Sequence, residues 1–177
     1  MTIERASSGS RDAALVWLHR RAEGLLASIP QSLPLLALRL GLAIPFFKSG
    51  LTKWDGFLTL STGARYLFEQ EFKLHIFGNQ IPYPMPLTMA AAAGIGELVL
   101  PILLVLGLFT RYAALGLLVM TAVIQLTIPD GWANFHLPWA AMALTLVVFG
   151  SGRIALDPLV NLKHDNGTTI RIAKASR

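Results

Sequence analysis

Four runs of the chain, residues 33–53, 87–109, 112–128 and 136–152, are apolar over the roughly 17–25 residues that a helix needs to cross a bilayer. No other feature constrains the fold as tightly. The hydrocarbon core offers no hydrogen bonds, so a spanning segment must satisfy its own backbone. A soluble helical bundle would need a polar face on each helix, and the second and third runs have none. The composition agrees: 54% of the 177 residues are hydrophobic and 14% are charged, against roughly a quarter charged in a soluble domain. The reading is an all-α integral membrane protein. It is a four-transmembrane-helix bundle with an N-terminal amphipathic helix and a long outer loop between the first two spans.

Three segments follow from this. Residues 1–32 form a cytoplasmic amphipathic stretch, 33–160 the four-helix membrane domain and 161–177 a basic cytoplasmic tail. The first 32 residues lack the apolar core and small-residue cleavage site of a signal peptide, and they carry Glu4, Arg5, Arg11, Asp12, Arg20, Arg21 and Glu23. Leu15, Leu18, Ala22, Leu25 and Ile29 recur at helical spacing beside arginines, as in a helix lying on a membrane surface. Four spans put both termini on one side. That side would hold Arg5, Arg11, Arg20, Arg21, Arg111, Arg153, Lys163, Arg171, Lys174 and Arg177, whereas the other holds Lys53, Arg65 and Lys73. The bias predicts cytoplasmic termini. The net charge of +5 is thus a topology signal, and nucleic acid is not an expected partner.

Three ionisable residues fall inside the runs: Arg39, Lys48 and Glu97. An unpaired charge at the bilayer centre costs at least ~2.5–3.5 kcal/mol, so each should face the bundle and find a partner. At ~1.5 Å per residue, Arg39 lies ~9 Å and Lys48 ~22 Å along the first span, and Glu97 lies ~18 Å in from residue 109. Both cations are therefore candidate partners for Glu97, with Lys48 nearer in height. They fall on opposite faces of a straight helix, although Pro45 between them can kink it. Pro101, four residues after Glu97, removes the donor that would bond the Glu97 carbonyl. The pairs Ala90–Gly94 and Ala92–Gly96 have the small-residue spacing that lets a helix approach closely. Glu97, Arg39 and Lys48 form the candidate proton-handling cluster, and a charge pair that merely locks two helices is the competing reading.

Other signals are weaker. The chain has no cysteine, which excludes disulfides, thiolate metal sites and Fe–S clusters within it. Glu71 and His75 have the spacing of a metal pair on one helix face but lack a third ligand, so no metal is expected. His136, at the start of the fourth run, is the lone histidine near the bilayer, and one histidine does not supply two axial haem ligands. Gln125, in the third run, is a second polar candidate for the interior, with a place near the interface the stronger reading. The prolines of "IPYPMP" (81–86) stiffen an extended outer segment.

Several stretches, in order, resemble the DoxX family. "LALRLGLAIPFFKSGLTKW" is similar to the family's opening, with an Arg early in the first span and Gly-x-x-Lys (Gly50, Lys53) at its end. "AAAAGIGELVLPILLVLGLFTRYAALGLLVM" is similar to its second and third helices, and "FGSGRIALD" to its closing segment. Carried over by position, Arg39, Lys53, Glu97, Arg111 and Asp157 match the family pattern; Lys48 and His136 are additions from the residues themselves. The resemblance implies a small multi-pass protein of the bacterial inner membrane, in the neighbourhood of quinone-linked redox complexes.

The expected function is therefore a membrane subunit or accessory of such a complex. Its partners would be the lipid bilayer, other membrane or redox proteins, and a second copy of itself. No redox centre is legible in the chain, so electrons would come from a partner, and a quinone is the compatible cofactor. Two alternatives stand beside this. One is a proton-coupled solute or metal-ion module, which would need an oligomer because the chain shows no internal repeat. The other is a non-catalytic anchor or assembly factor.

Overall fold

Glycine, proline and the apolar stripes of the sequence divide the chain into a helical bundle with a small outer cap. The computed structural model describes residues 3–157, with side chains from residue 15 onward; the basic tail expected at 161–177 lies outside the described residues. Helix α1 (Ile3–Ala27) precedes α2 (Ser32–Leu51). An outer segment follows, and then come α4 (Pro86–Leu106), α5 (Thr110–Thr127) and α6 (Leu137–Phe149). Helix α2 packs along α4 and α6, α4 along α5, and α5 along α6.

Each spanning helix buries one stripe. On α2 it is Leu35, Arg39, Leu42, Phe46 and Gly50; on α4 it is Ala90, Gly94, Glu97, Pro101 and Leu104. These steps of three and four residues follow the helical repeat. Opposite faces carry exposed Ile44, Val99, Ile102, Leu115 and Val119, as lipid-facing positions do. On α5 the stripe is small, with Ala113, Ala114 and Thr121 around Leu117, so neighbouring backbones come close. At Gly96 a Cβ would lie 2.6 Å from the methyl of Met120, and at Gly116 one would lie 2.9 Å from Leu100. Phe46 and Trp139 join α2 to α6 with ring centroids 5.0 Å apart.

Among the described residues four helical segments are long and apolar enough to cross a membrane: Ser32–Leu51, Pro86–Leu106, Thr110–Thr127 and Pro129–Phe149. The first three agree with the sequence reading to within three residues. The fourth, expected at 136–152 and short, begins seven residues earlier. A 3₁₀ turn (Pro129–Gly131) and a π-helical turn (Trp132–His136) run directly into α6, and Gly150 at φ 77° ends it. The segment has 21 residues and is not short.

The outer segment is more structured than a loop. Strands β1 (Trp54–Gly56) and β2 (Thr59–Leu60) form one antiparallel hairpin, and β3 (Lys73–Ile76) and β4 (Asn79–Pro82) another. Between them lie α3 (Thr62–Tyr66) and a π-helical turn (Leu67–Glu71). Ser61 accepts a bond from the Ala64 N–H at 3.1 Å and donates to the Thr52 carbonyl at 2.9 Å, which fastens α3 to the end of α2. The second hairpin turns through Phe77 and Gly78 at φ 49° and 80°, the two positive values that a tight two-residue turn requires. Its strand β3 lies beside α5, where His75 Nδ1 sits 3.1 Å from the Leu126 carbonyl, and the Tyr83 hydroxyl is 2.6 Å from Thr127 Oγ1.

At the opposite end the chain after α6 folds back. Asp157 accepts from the Phe109 N–H at 2.6 Å and the Thr110 N–H at 3.1 Å, capping α5, and its own N–H donates to the Gly107 carbonyl at 2.8 Å. A carboxylate cap of this kind contributes about 1 kcal/mol. Asp157→Ala should lower the melting temperature in detergent by about 2–4 °C; an unchanged value would show that the cap does not hold the α4–α5 turn.

Candidate functional site

Glu97 occupies the centre of the α4 stripe, where an aliphatic side chain would be expected, and is 4% exposed. Its partner is Lys53. The ammonium Nζ lies 2.6 Å from Glu97 Oε2 and 3.1 Å from Ser49 Oγ. Helix α2 ends at Leu51, and Thr52 and Lys53 continue with 3.2 Å bonds back to Ser49 and Gly50, so the Lys53 side chain turns in over the helix end. Ser49, one turn earlier, supplies a second acceptor.

Close approach makes this reach sufficient. A Cβ at Gly50 would lie 3.0 Å from both the Glu97 Cβ and carbonyl carbon, and 2.9 Å from a Leu98 methyl, so α2 crosses α4 at this point with no side chain between them. Gly94 performs the same service for Trp54, whose indole would be 2.8 Å from a Cβ there. The Trp54 Nε1–H is buried and has no acceptor among the described residues. Glu97 is eleven residues from Pro86, so α2 stops about 16 Å short of the outer end of α4. The first hairpin and α3 occupy that space.

Arg39 and Lys48, the expected partners of Glu97, take no part in the pair. Arg39 is 1% exposed, and its Nη2 donates to the Ile154 carbonyl. Gly107, where a Cβ would collide with the guanidinium, lies beside it. Eleven residues separate Arg39 from Gly50, about 16 Å along α2, which is too far for contact with Glu97. Nε and Nη1 of Arg39 have no acceptor among the described residues. Lys48 is exposed, on the face of α2 turned from the bundle, and Pro45 does not bring the two cations to one side. A lysine in the last turn of a span extends its ammonium toward the interface. The Glu97–Arg39–Lys48 cluster is thus corrected to Glu97–Lys53, with Ser49 and Trp54 at its edge.

The remaining candidates separate as well. Asp157 caps α5, as described, and Arg111 is exposed with its guanidinium beside Gly150. His136 is buried, with Nδ1 2.6 Å from Gln125 Oε1, while Gln125 Nε2 donates to the Pro129 carbonyl at 3.2 Å. The residue read as interfacial is therefore the partner of that histidine. Glu71 ends a π-helical turn and His75 lies on a strand, so they share no helix face. Among the described residues no three potential ligands gather in a metal-binding group. Missed in the sequence were the role of Lys53 as partner and the packing of Trp54, which reads as an interfacial aromatic, onto Gly94. The Gly50-x-x-Lys53 spacing was the available signal: a residue that admits close approach, and a cation one turn beyond it.

The DoxX family model matches residues 34–130, a stretch that includes Arg39, Lys53, Glu97 and Arg111 and stops short of Asp157. The chain is 29% identical over 143 residues to an uncharacterized protein of Haemophilus influenzae, covering 76% of this chain and 88% of that one. No solved structure matches.

Removing one member of a buried pair leaves an uncompensated charge, at a cost of about 3–5 kcal/mol, whereas replacing both with apolar groups is often neutral. Lys53→Met should therefore destabilise the protein far more than Lys53→Met with Glu97→Met. Lys48→Met should be silent. Thermal unfolding monitored by size-exclusion chromatography in detergent distinguishes them; equal losses from Lys53→Met and Lys48→Met would refute the assignment.

Proposed function

The chain belongs to the DoxX family, and from that premise we propose that it is an accessory membrane subunit of a quinone-linked redox assembly, with the Lys53–Glu97 pair as its proton-handling group. The observation that carries the reading is that pair: a carboxylate and an ammonium 2.6 Å apart, both largely buried, midway along an apolar helix. Intramembrane ionisable residues of this kind mark proton and substrate paths.

The donor set fits a carbonyl acceptor. Of the three protons on Lys53 Nζ, two are directed to Glu97 and Ser49, which leaves one unused, and the Trp54 Nε1–H is also without an acceptor among the described residues. A quinone accepts two electrons and two protons to become a quinol. A redox partner would supply the electrons. Lys53 and Trp54 would donate hydrogen bonds to one quinone oxygen, stabilising the negative charge that reduction places there. Lys53 would pass one ammonium proton to the reduced oxygen and regain it from water through the Glu97 carboxylate, and the second proton would come from water at the outer segment. We place the protein in a bacterial inner membrane with both termini cytoplasmic, on the strength of the Lys/Arg bias.

A structural lock is the second reading, favoured by Gly50 packing directly on Glu97. Extraction from the native membrane in mild detergent, followed by native mass spectrometry and solvent extraction for quinone, separates the two. Oxidoreductase subunits and quinone should co-purify. Glu97→Gln should retain the assembly while its quinone turnover falls by roughly 10²–10⁴, the usual contribution of general acid–base catalysis. A chain recovered without redox partner or quinone, or a Glu97→Gln assembly of full activity, would leave the lock as the function of the pair.

A further inference from the structure

Among the described residues, the side chains of helix α1 take no part in the bundle. Every residue from Leu15 to Pro30 is exposed, and the apolar ones are no exception: Leu15, Leu18, Leu25 and Leu26 are between 59% and 67% exposed. At ~100° per residue, Leu15, Leu18, Ala22, Leu25 and Leu26 fall within an arc of about 100°. Ile29, in the turn that follows, continues it. Gly24 lies nearly opposite, Arg20 and Glu23 lie on the polar side, and Arg21 flanks the arc with its guanidinium 5.1 Å from the centre of the Trp17 ring. Only residues 28–31 separate α1 from Ser32, the first residue of a spanning helix. The apolar stripe is thus tethered within a few residues of a bilayer surface.

We propose that α1 is a membrane-surface anchor whose Leu15–Leu18–Ala22–Leu25–Leu26 face enters the headgroup boundary on the side where α2 begins, with Arg20 and Arg21 engaging anionic lipid headgroups. Three observations select a lipid surface over a protein groove. The stripe is continuous with the membrane segment through a short link. The charges beside the arc are net cationic, Arg20 and Arg21 against the single Glu23, as an anionic leaflet requires. The arc is bordered by His19 on one side and Arg21 on the other, with Val16 and Trp17 the large apolar residues outside it, the form of a helix that lies in the interface plane. This anchor is independent of the reaction proposed for Glu97.

The chain has no cysteine, so single nitroxide labels can be placed on the full-length protein without altering native residues elsewhere. Leu18→Cys puts a label on the apolar face. Gly24→Cys puts one on the polar face, where a side chain meets nothing within 4 Å. Each variant is reconstituted in nanodiscs of phosphatidylcholine with and without phosphatidylglycerol. The Leu18 label should collide with membrane-dissolved oxygen and be shielded from a water-soluble nickel chelate, and the Gly24 label should do the reverse. With phosphatidylglycerol present, Arg20→Glu with Arg21→Glu should lower the ratio of immobilised to mobile Leu18 label by roughly 30-fold or more, from two basic side chains at about 1 kcal/mol each. Equal access of both labels to the nickel chelate would place α1 in solvent and overturn the anchor. Shielding of either label from both probes would mean a protein contact, through a second copy or another subunit, and would overturn it too. A docked helix indifferent to phosphatidylglycerol and to the arginine changes would overturn the headgroup contact.

Discussion

The structure depends on how a carboxylate is kept inside an apolar stripe. Glu97 occupies a position on α4 where neighbouring turns carry Gly94 and Pro101, and an isolated charge there would not be tolerated. Its cation is supplied by a residue beyond the end of the adjacent helix. Several local features follow. Helix α2 must stop near Leu51 so that Lys53 can turn inward, Gly50 must lack a side chain so that the helices touch, and Ser49 accepts a second bond from the ammonium. Trp54 then settles on Gly94, and Ser61 bonds the carbonyl of Thr52. The outer cap is built from the place where α2 was obliged to end.

A second polar junction lies about 16 Å lower on the same helix. Arg39 reaches the carbonyl of Ile154, while Asp157 of the same segment caps α5 and bonds Gly107. Between lipid-immersed helices there is little hydrophobic force to choose a register, because lipid tails are as apolar as the side chains they replace. Polar contacts at two heights accomplish what a packed aqueous core would otherwise do. One joins the middle of α4 to the end of α2, the other joins α2 to the α4–α5 turn through the returning chain. Sliding α2 by one turn would break both.

What the sequence disclosed, and what it concealed, follows from the range of each interaction. Hydropathy is a local sum, and it located three spans closely and the fourth by its core. It also marked Arg39 and Glu97 as interior, and both are buried. Pairing is not local. Lys53 fell at the end of the apolar run and was read as a boundary residue, because no periodicity announces that a helix stops and its next side chain bends back. Height alone favours Lys48, and helical phase says only that Lys48 and Arg39 lie on opposite faces of a straight helix, not which of them turns inward. The return of residues 150–157 onto Arg39 spans more than a hundred positions and leaves no local trace. The hairpins escaped notice because Leu58 and Phe77 take positive φ values that usually call for Gly or Asn. Gln125 and His136 read singly as interfacial; their pairing arises only when α5 and the turn before α6 lie side by side.

Lock and proton site are often set against one another, yet the geometry of this pair allows one to prepare the other. A group that only fastens two helices serves best when every donor is saturated, since each unmet N–H in a dry site costs about 1–3 kcal/mol. Lys53 has an N–H to spare after Glu97 and Ser49, and the indole N–H of Trp54 beside it meets no acceptor among the described residues. The buried indole N–H is a standing free-energy gain for any molecule that brings an oxygen to it. The lock fixes the position of the carboxylate, and the unused donors then define where an acceptor would sit relative to it. Rigidity supplied by Gly50 and Gly94 is the same property that a preorganised site requires. A saturated pair would make a better bolt; on the function proposed above, the open donors are where a ligand's oxygen would bind.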